Sequence, residues 1–275
     1  ECLIGSARLE DECMSLINVR GVTLEYFHKG SESDTPFILV HGAGSSARIW
    51  DSVQIDLADS GYESYAISLR GAGGSDHTSD LSDYHPSNYA LDLLAVLSEL
   101  HIDRCILVGH SLGTIVAGYI LRDAPKVVDK LIQIAGPAVE KTAPQSSMNK
   151  RTRAGYGEAL SPEAFEHWEN QHLGLSSEIR QQLRSDIDNN PSQRIHGQAR
   201  PWSGINDVAI GLQVSTLVVL GDADDVVPPE EPLSYFLQLP ESLRHLHVFS
   251  GVGHYPNAQV PDRLASVMRR FVANN

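Results

Sequence analysis

Apolar positions along the chain fall into short β-branched runs separated by stretches in which they recur every three or four residues. The runs Phe37 to Val40, Ser64 to Leu69, Cys105 to Val108, Val127 to Ile134, Val214 to Leu220 and Leu243 to Phe249 are predicted as strands. Trp50, Val53 and Leu57 repeat at helical spacing, as do Val260, Leu264, Val267, Met268 and Phe271. Strands alternating with helices imply parallel strands joined by helical crossovers. Residues 113–121 are apolar nearly all round, which predicts a central helix buried on every side. Upstream, Met14 to Val19 and Val22 to His28 flank Arg20-Gly21 and predict an antiparallel hairpin at one sheet edge. The expected fold is therefore α/β, a mostly parallel sheet with helices on both faces.

Between 138 and 210 the alternation stops: polar helical patterns broken by Pro162, Pro191 and Pro201 replace it, with no strand. The stretch is too long for an ordinary loop. It is expected to be a helical cap inserted between core segments 1–137 and 211–275. No candidate catalytic residue lies in it, so it is expected to tune substrate choice rather than chemistry.

Composition narrows the partners. At 275 residues, with 41% hydrophobic and 20% charged, the chain fits one catalytic domain with an insertion, as a monomer or homodimer. A net charge of −14 without a basic run argues against nucleic acid. No apolar run approaches the roughly 18 residues of a membrane span. Cys105 reads as a buried small hydrophobe, and nothing requires Cys2 and Cys13 to pair. Asn190 precedes Pro191, which blocks it as a glycosylation acceptor. A reducing, cytoplasmic setting is expected.

Three strand ends carry the chemistry. Gly109-His110-Ser111-Leu112-Gly113 lies directly between an apolar strand and the buried helix. This is the context of a nucleophile elbow, whose sharp turn strains the central residue and demands glycine two positions to either side. Ser111 is the candidate nucleophile. Leu112 begins the helix, so its backbone N–H has no intrahelical partner and is a candidate oxyanion donor. His41-Gly42-Ala43-Gly44 follows another strand, and its small residues let backbone approach a ligand. Ala43 N–H is the second candidate donor, Gly42 a candidate substrate contact, and His41 is expected to brace the loop. His254, in Gly251-Val252-Gly253-His254 after the last strand, is the candidate general base. Gly221-Asp222-Ala223-Asp224-Asp225 follows the preceding strand, and one of its acids would orient the imidazole. Its spacing lacks the glycine and distal Glu of a calcium loop.

Taken together, His41-Gly42, Arg70-Gly71-Ala72-Gly73-Gly74-Ser75, Gly109-His110-Ser111-Leu112-Gly113, Gly221-x-x-Asp224 and Gly253-His254 resemble the α/β-hydrolase superfamily across almost the whole chain except the cap. The likeness is strongest to its capped esterase, lactonase and carbon–carbon hydrolase branch. It implies a Ser111, Asp224, His254 triad and no cofactor. Among the acids, Asp222 lies too near the strand to reach back, and Asp225 would point away. Serine at 111 disfavours the dehalogenase and epoxide-hydrolase branches, whose matching residue is an attacking Asp. The implied reaction is hydrolysis of a small carboxylic ester or lactone. Carbon–carbon cleavage of a vinylogous diketone is the rival, set second because Tyr255 stands where that branch usually carries Trp. A ligand-binding receptor with a retained triad is the rival outside enzymes.

Weaker signals are read conservatively. Tyr156, Trp168, His172 and Trp202 are candidate pocket residues, with packing of the cap as the better account. His245 and His247 share a strand face but lack a third metal ligand, so they are expected to be exposed edge or surface residues. Arg70 is expected to tie its loop to the sheet.

Overall fold

The computed structural model describes residues 14–136, 174–198, 211 and 213–274. Eight strands form one sheet in the order β1-β2-β4-β3-β5-β6-β7-β8. They are β1 Met14–Val19, β2 Val22–Lys29, β3 Phe37–Val40, β4 Ser64–Ile67, β5 Cys105–His110, β6 Val128–Ile134, β7 Ser215–Gly221 and β8 Arg244–Phe249. The β1–β2 and β2–β4 pairs are antiparallel, and every other pair is parallel. The hairpin turns at Arg20 and Gly21, both left-handed (φ 50° and 78°), the twist that a two-residue connection requires.

The central parallel strands β3 and β7 are apolar with little alternation because both their faces are covered. Ile38 and Val40 of β3 and Leu107 of β5 point to one core, with Leu93 and Val96 of α2 (Pro86–Glu99) and Val116 and Ile120 of α3 (Leu112–Asp123). Phe37, Leu39, Ile106 and Val108 point to the other, with Val53 and Leu57 of α1 (Asp51–Asp59). The C-terminal helix Pro261–Asn274 adds Leu264, Met268 and Phe271 there. This two-sided burial is what turned period-two patterns into continuous runs. Cys105 is buried in the first core.

Of the stretch expected as a cap, 174–198 is described, and it holds two helices, α4 Ser177–Asp188 and α5 Ser192–Gln198. Leu183 and Ile187 of α4 enter the second core. Ser176 caps α4, accepting the Ile179 N–H at 3.3 Å. Gly197 of α5 lies so close to the turn Leu81–Tyr84 that a Cβ would collide with the Leu81 carbonyl. Tyr156, Trp168, His172 and Trp202 lie outside the described residues, as do Cys2 and Cys13.

Two expectations need correction. Arg70 ties its loop to a helix, not to the sheet: Nε donates to Asp92 Oδ2 at 3.0 Å and Nη2 to Oδ1 at 2.8 Å, from α2. His245 and His247 are half-buried, edge-on to Phe271 and Phe249, while the alternate residues Leu246 and Val248 are exposed. The helix Pro261–Asn274 covers the histidine face, which the strand's own pattern does not show.

Candidate active site

The candidate residues converge on the C-terminal ends of the parallel strands, the edge where open α/β sheets place their sites. Register sets this. Val40 of β3 lies opposite Gly109 of β5, and His110 lies opposite Ile134 of β6, so the loops after β3 and β5 are neighbours. Gly221 of β7 pairs with Phe249 of β8, which brings the acidic turn beside the loop carrying His254. Two hydrogen bonds lock those turns together, from Asp222 N–H to the Phe249 carbonyl (3.1 Å) and from Ala223 N–H to the Val252 carbonyl (3.0 Å).

Ser111 has φ 51° and ψ −115°, a strained conformation for a residue with a Cβ. The turn is held by Ser111 N–H to the Ile134 carbonyl and by Thr114, whose N–H and hydroxyl both donate to the Ser111 carbonyl at 2.9 and 2.6 Å. Both flanking glycines are required. A Cβ at 109 would strike the Gly113 backbone, and one at 113 would strike the carbonyl of Val40. Ser111 stands at the N-cap of α3, yet its side chain makes no capping hydrogen bond, which leaves the hydroxyl available.

His254 is buried, and its Nδ1 pairs with Asp224 Oδ2 at 2.8 Å. The other oxygen of Asp224 accepts two backbone N–H groups, from Val226 and Val227, both at 2.9 Å. Asp224 is thus buried and fully committed, whereas Asp222 and Asp225 are exposed. With Nδ1 donating to the carboxylate, Nε2 of His254 carries the free lone pair.

On the other side, His41 braces its loop as expected. Leu69 N–H donates to Nε2 at 3.0 Å, so Nδ1 carries the proton and donates to the Gly42 carbonyl at 2.7 Å. A trans peptide is planar, with C=O and N–H opposed, so pinning the Gly42 carbonyl also fixes the direction of Ala43 N–H. His41 is held neutral, its pKa lowered to about 3, by burial first and then by the nearby Arg194. Gly42 must be small because a Cβ would meet the His110 ring and the Ser111 Cβ at 3.0 to 3.1 Å.

Sequence patterns missed His110 and Arg194. The His110 imidazole is wholly buried, with its pKa lowered to about 3 by burial and then by His254. Its Nε2–H donates to the His254 carbonyl at 2.7 Å, and its ring lies 4.9 Å from that of His254 and 5.3 Å from that of Tyr255. It therefore fastens the histidine loop to the elbow. Only its place beside Ser111 hinted at this, since that position of the motif accepts many residues. Arg194 sits in a polar stretch without a motif, yet it is fully buried.

Among the described residues, no three His, Cys, Asp or Glu gather as a metal site would require, and no helix is long and apolar enough to cross a membrane.

An esterase from Rhodococcus sp. superposes with TM-score 0.82 at 24% identity, covering 94% of this chain and 98% of that one. An esterase from Thermogutta terrifontis gives TM-score 0.78 at 22% identity, covering 94% of this chain and 97% of the other. At such identities the likeness speaks to the fold. In sequence, Epoxide hydrolase 3 of Xenopus tropicalis is 37% identical over 93 residues, which is 34% of this chain and only 25% of that protein. An uncharacterised protein of Mycobacterium bovis is 25% identical over 271 residues, 87% of this chain and 76% of its own length. Residues 37–267 match the model of the Alpha/beta hydrolase family, and the chain belongs to that family.

Proposed function

We propose that the chain is a serine hydrolase that opens a small carboxylic ester or lactone through an acyl-enzyme. The observation that carries this reading is the pairing of a strained, non-capping Ser111 with a buried His254 whose Nδ1 is already held by Asp224. In the mechanism, His254 Nε2 takes the Ser111 proton as the hydroxyl oxygen attacks the acyl carbon. This requires a Ser111 to His254 hydrogen bond of the kind that tightens when substrate binds. The oxyanion is held by the N–H groups of Leu112 and Ala43. His254 then protonates the departing alcohol oxygen, and water repeats the attack on the acyl-enzyme with His254 again as base. Asp224 keeps the imidazole in the required tautomer and stabilises its cation.

A serine rather than an Asp at 111 favours acyl transfer over the chemistry named for the Xenopus relative. The structural likeness to esterases, and to an N-acyl homoserine lactonase at 16% identity and TM-score 0.81, supports an ester-type substrate. Residues 138–210 act in this scheme as the cap that shapes the acyl and alcohol pockets. Gly42 and Tyr255 border the reacting centre, and Tyr156, Trp168 and Trp202 are the cap's candidate contributors.

The test is labelling with a fluorophosphonate, peptide mapping, and turnover of p-nitrophenyl acetate and a simple lactone. Label confined to Ser111, lost in Ser111→Ala together with several orders of magnitude of turnover, is the expected result. Label elsewhere, no label, or Ser111→Ala activity within tenfold of the parent would overturn it.

A further inference from the structure

A buried guanidinium is costly unless its charge is answered. Arg70 shows the usual answer, a two-pronged pair with Asp92 and a third contact to Asp83. Arg194 does not follow it. The residue is fully buried, its Nη1 donates to Asn190 Oδ1 (2.8 Å) and the Gly71 carbonyl (3.4 Å), and its Nη2 donates to the Ser45 carbonyl (3.4 Å). Its Nε has no partner, and among the described residues no carboxylate forms an ion pair with it. The cation thus divides its donors between the Asn190 side chain, the Tyr89 hydroxyl and, at longer range, backbone carbonyls of two loops, the one after β3 and the one after β4, while the nearby Asp186 carboxylate feels its charge without pairing to it. These strands are neighbours in the sheet.

The Ser45 end of that first loop is tied twice to the segment 174–198. Beside the Arg194 contact, the Ser46 hydroxyl donates to Asp186 Oδ2 of α4 at 2.8 Å, and Gln182 holds the other carboxylate oxygen at 2.9 Å. The Gly42 end is held by His41. The guanidinium charge also opposes a proton on His41, and a proton on Nε2 would destroy its acceptance of Leu69 N–H. The Ser45 end of the loop thus rests directly on Arg194, and the Gly42 end on His41, so the direction of Ala43 N–H is set between the two.

We infer that Arg194 is a positioning residue for the oxyanion-side loop 41–46, so that the inserted segment contributes to the chemical step as well as to substrate choice. The inference rests on the hydrolase mechanism proposed above and departs from the expectation that 138–210 leaves chemistry alone.

The experiment compares Arg194→Met, Arg194→Lys and the control Arg184→Met, a half-exposed arginine of α4 paired with Asp188, by hydrogen exchange and by kinetics on p-nitrophenyl acetate. Loss of the fork should speed exchange at amides 41–46 about tenfold or more while the Gly109–Gly113 amides hold. It should lower kcat on the order of ten- to a hundredfold with KM within about threefold, because an oxyanion donor acts in the transition state. Lysine should rescue little, since one ammonium does not span two carbonyls as a planar fork does. Arg184→Met should match the parent. Unchanged exchange at 41–46, an unchanged kcat, or a loss confined to KM in a folded Arg194 variant would overturn the inference. If Arg194→Met does not fold, Arg194→Lys decides the same outcomes. A parent protein that neither labels at Ser111 nor turns over esters would instead overturn the hydrolase mechanism, while exchange still decides the clamp.

Discussion

The turn around Ser111 and the loop after β3 face each other across the candidate site, but they are held by opposite means. The first is shaped mainly by residues within or next to its own turn, two glycines that admit no Cβ, a strained serine, and Thr114 folding back on the Ser111 carbonyl, and by backbone of the adjoining strands. The second is shaped from afar. Its His41 bonds a backbone 28 residues on, its Ser46 a carboxylate 140 residues on, and its Ser45 carbonyl a guanidinium 149 residues on. Local steric rules write themselves into a motif, whereas a loop held by distant side chains leaves only its small residues as a trace. Damage should accordingly be local and steric at the first and spread through partners at the second.

The turn after β7 combines the two means, and it offers the largest expected effect. Asp224→Asn keeps an oxygen for the Val226 and Val227 N–H groups, so the fold should stand, but His254 loses the acceptor that fixes its tautomer. We expect kcat/KM for an activated ester to fall on the order of ten-thousandfold, about 5.5 kcal/mol in the barrier, with Tm nearly unchanged. A fall of less than tenfold would mean that another group orients His254.

Gly113→Ala should break the elbow itself. The new Cβ runs into the Val40 and His41 carbonyls, which are strand and loop backbone and do not yield as a flexible side chain would. A loss of about 3 kcal/mol in urea unfolding is expected, with activity lost alongside. Gly253→Ala, whose Cβ would meet its neighbours at an ordinary 3.5 Å and without a positive φ, should cost less than about 1 kcal/mol and marks the contrast. Equal costs at the two positions would remove the steric account of the elbow.

Acid probes both sides, through the one buried histidine that each carries. His41 and His110 are neutral in the fold, with pKa values near 3 against an ordinary 6.5. Below pH 6.5 the unfolded chain therefore binds two protons that the folded chain does not, and stability falls as pH falls from 6.5 toward about 3. Each histidine contributes a slope of about 1.4 kcal/mol per pH unit. Urea unfolding across that window should show His110→Gln with a slope shallower by about that amount. An unchanged slope would mean that His110 takes up its proton in the folded state.

Much of the fold was legible because burial on both faces turns a central parallel strand such as β3 or β7 into an unbroken apolar run, and all six runs read as strands became strands, the half-exposed edge strand β8 included. Their ends were less so. β5 continues to His110 because Ile134 of β6 pairs with it, and β4 stops at Ile67, short of the expected Leu69, whose N–H turns to His41 instead. The positions of Ser111, Asp224 and His254 at strand ends were legible for a similar reason, each being announced by an apolar run and a glycine. His110 and Arg194 were not. A histidine inside a motif and an arginine in a polar stretch look alike whether buried or exposed, and only the packing of loops remote in sequence distinguishes them.

The smallest expected effect separates the neighbours of Asp224. Asp222 is exposed, and its Oδ1 accepts the Gly251 N–H at 2.6 Å, a bond that braces the turn before His254 without touching the imidazole. Asp222→Asn keeps an acceptor oxygen there and gives up only charge assistance at the surface, worth at most about 1 kcal/mol. Asp225 is exposed as well and lies outside the carboxylate–imidazole pair. Turnover of an activated ester by either Asn variant should therefore stay within about tenfold of the parent, which is roughly 1.4 kcal/mol of transition-state stabilisation. Of the two, Asp222→Asn should show the larger change, and it should appear as a lower Tm and faster exchange at Gly251 more than as a lower kcat. If Asp222→Asn or Asp225→Asn instead matched the collapse expected of Asp224→Asn, the short Asp224 to His254 bond would not be the one that serves the base.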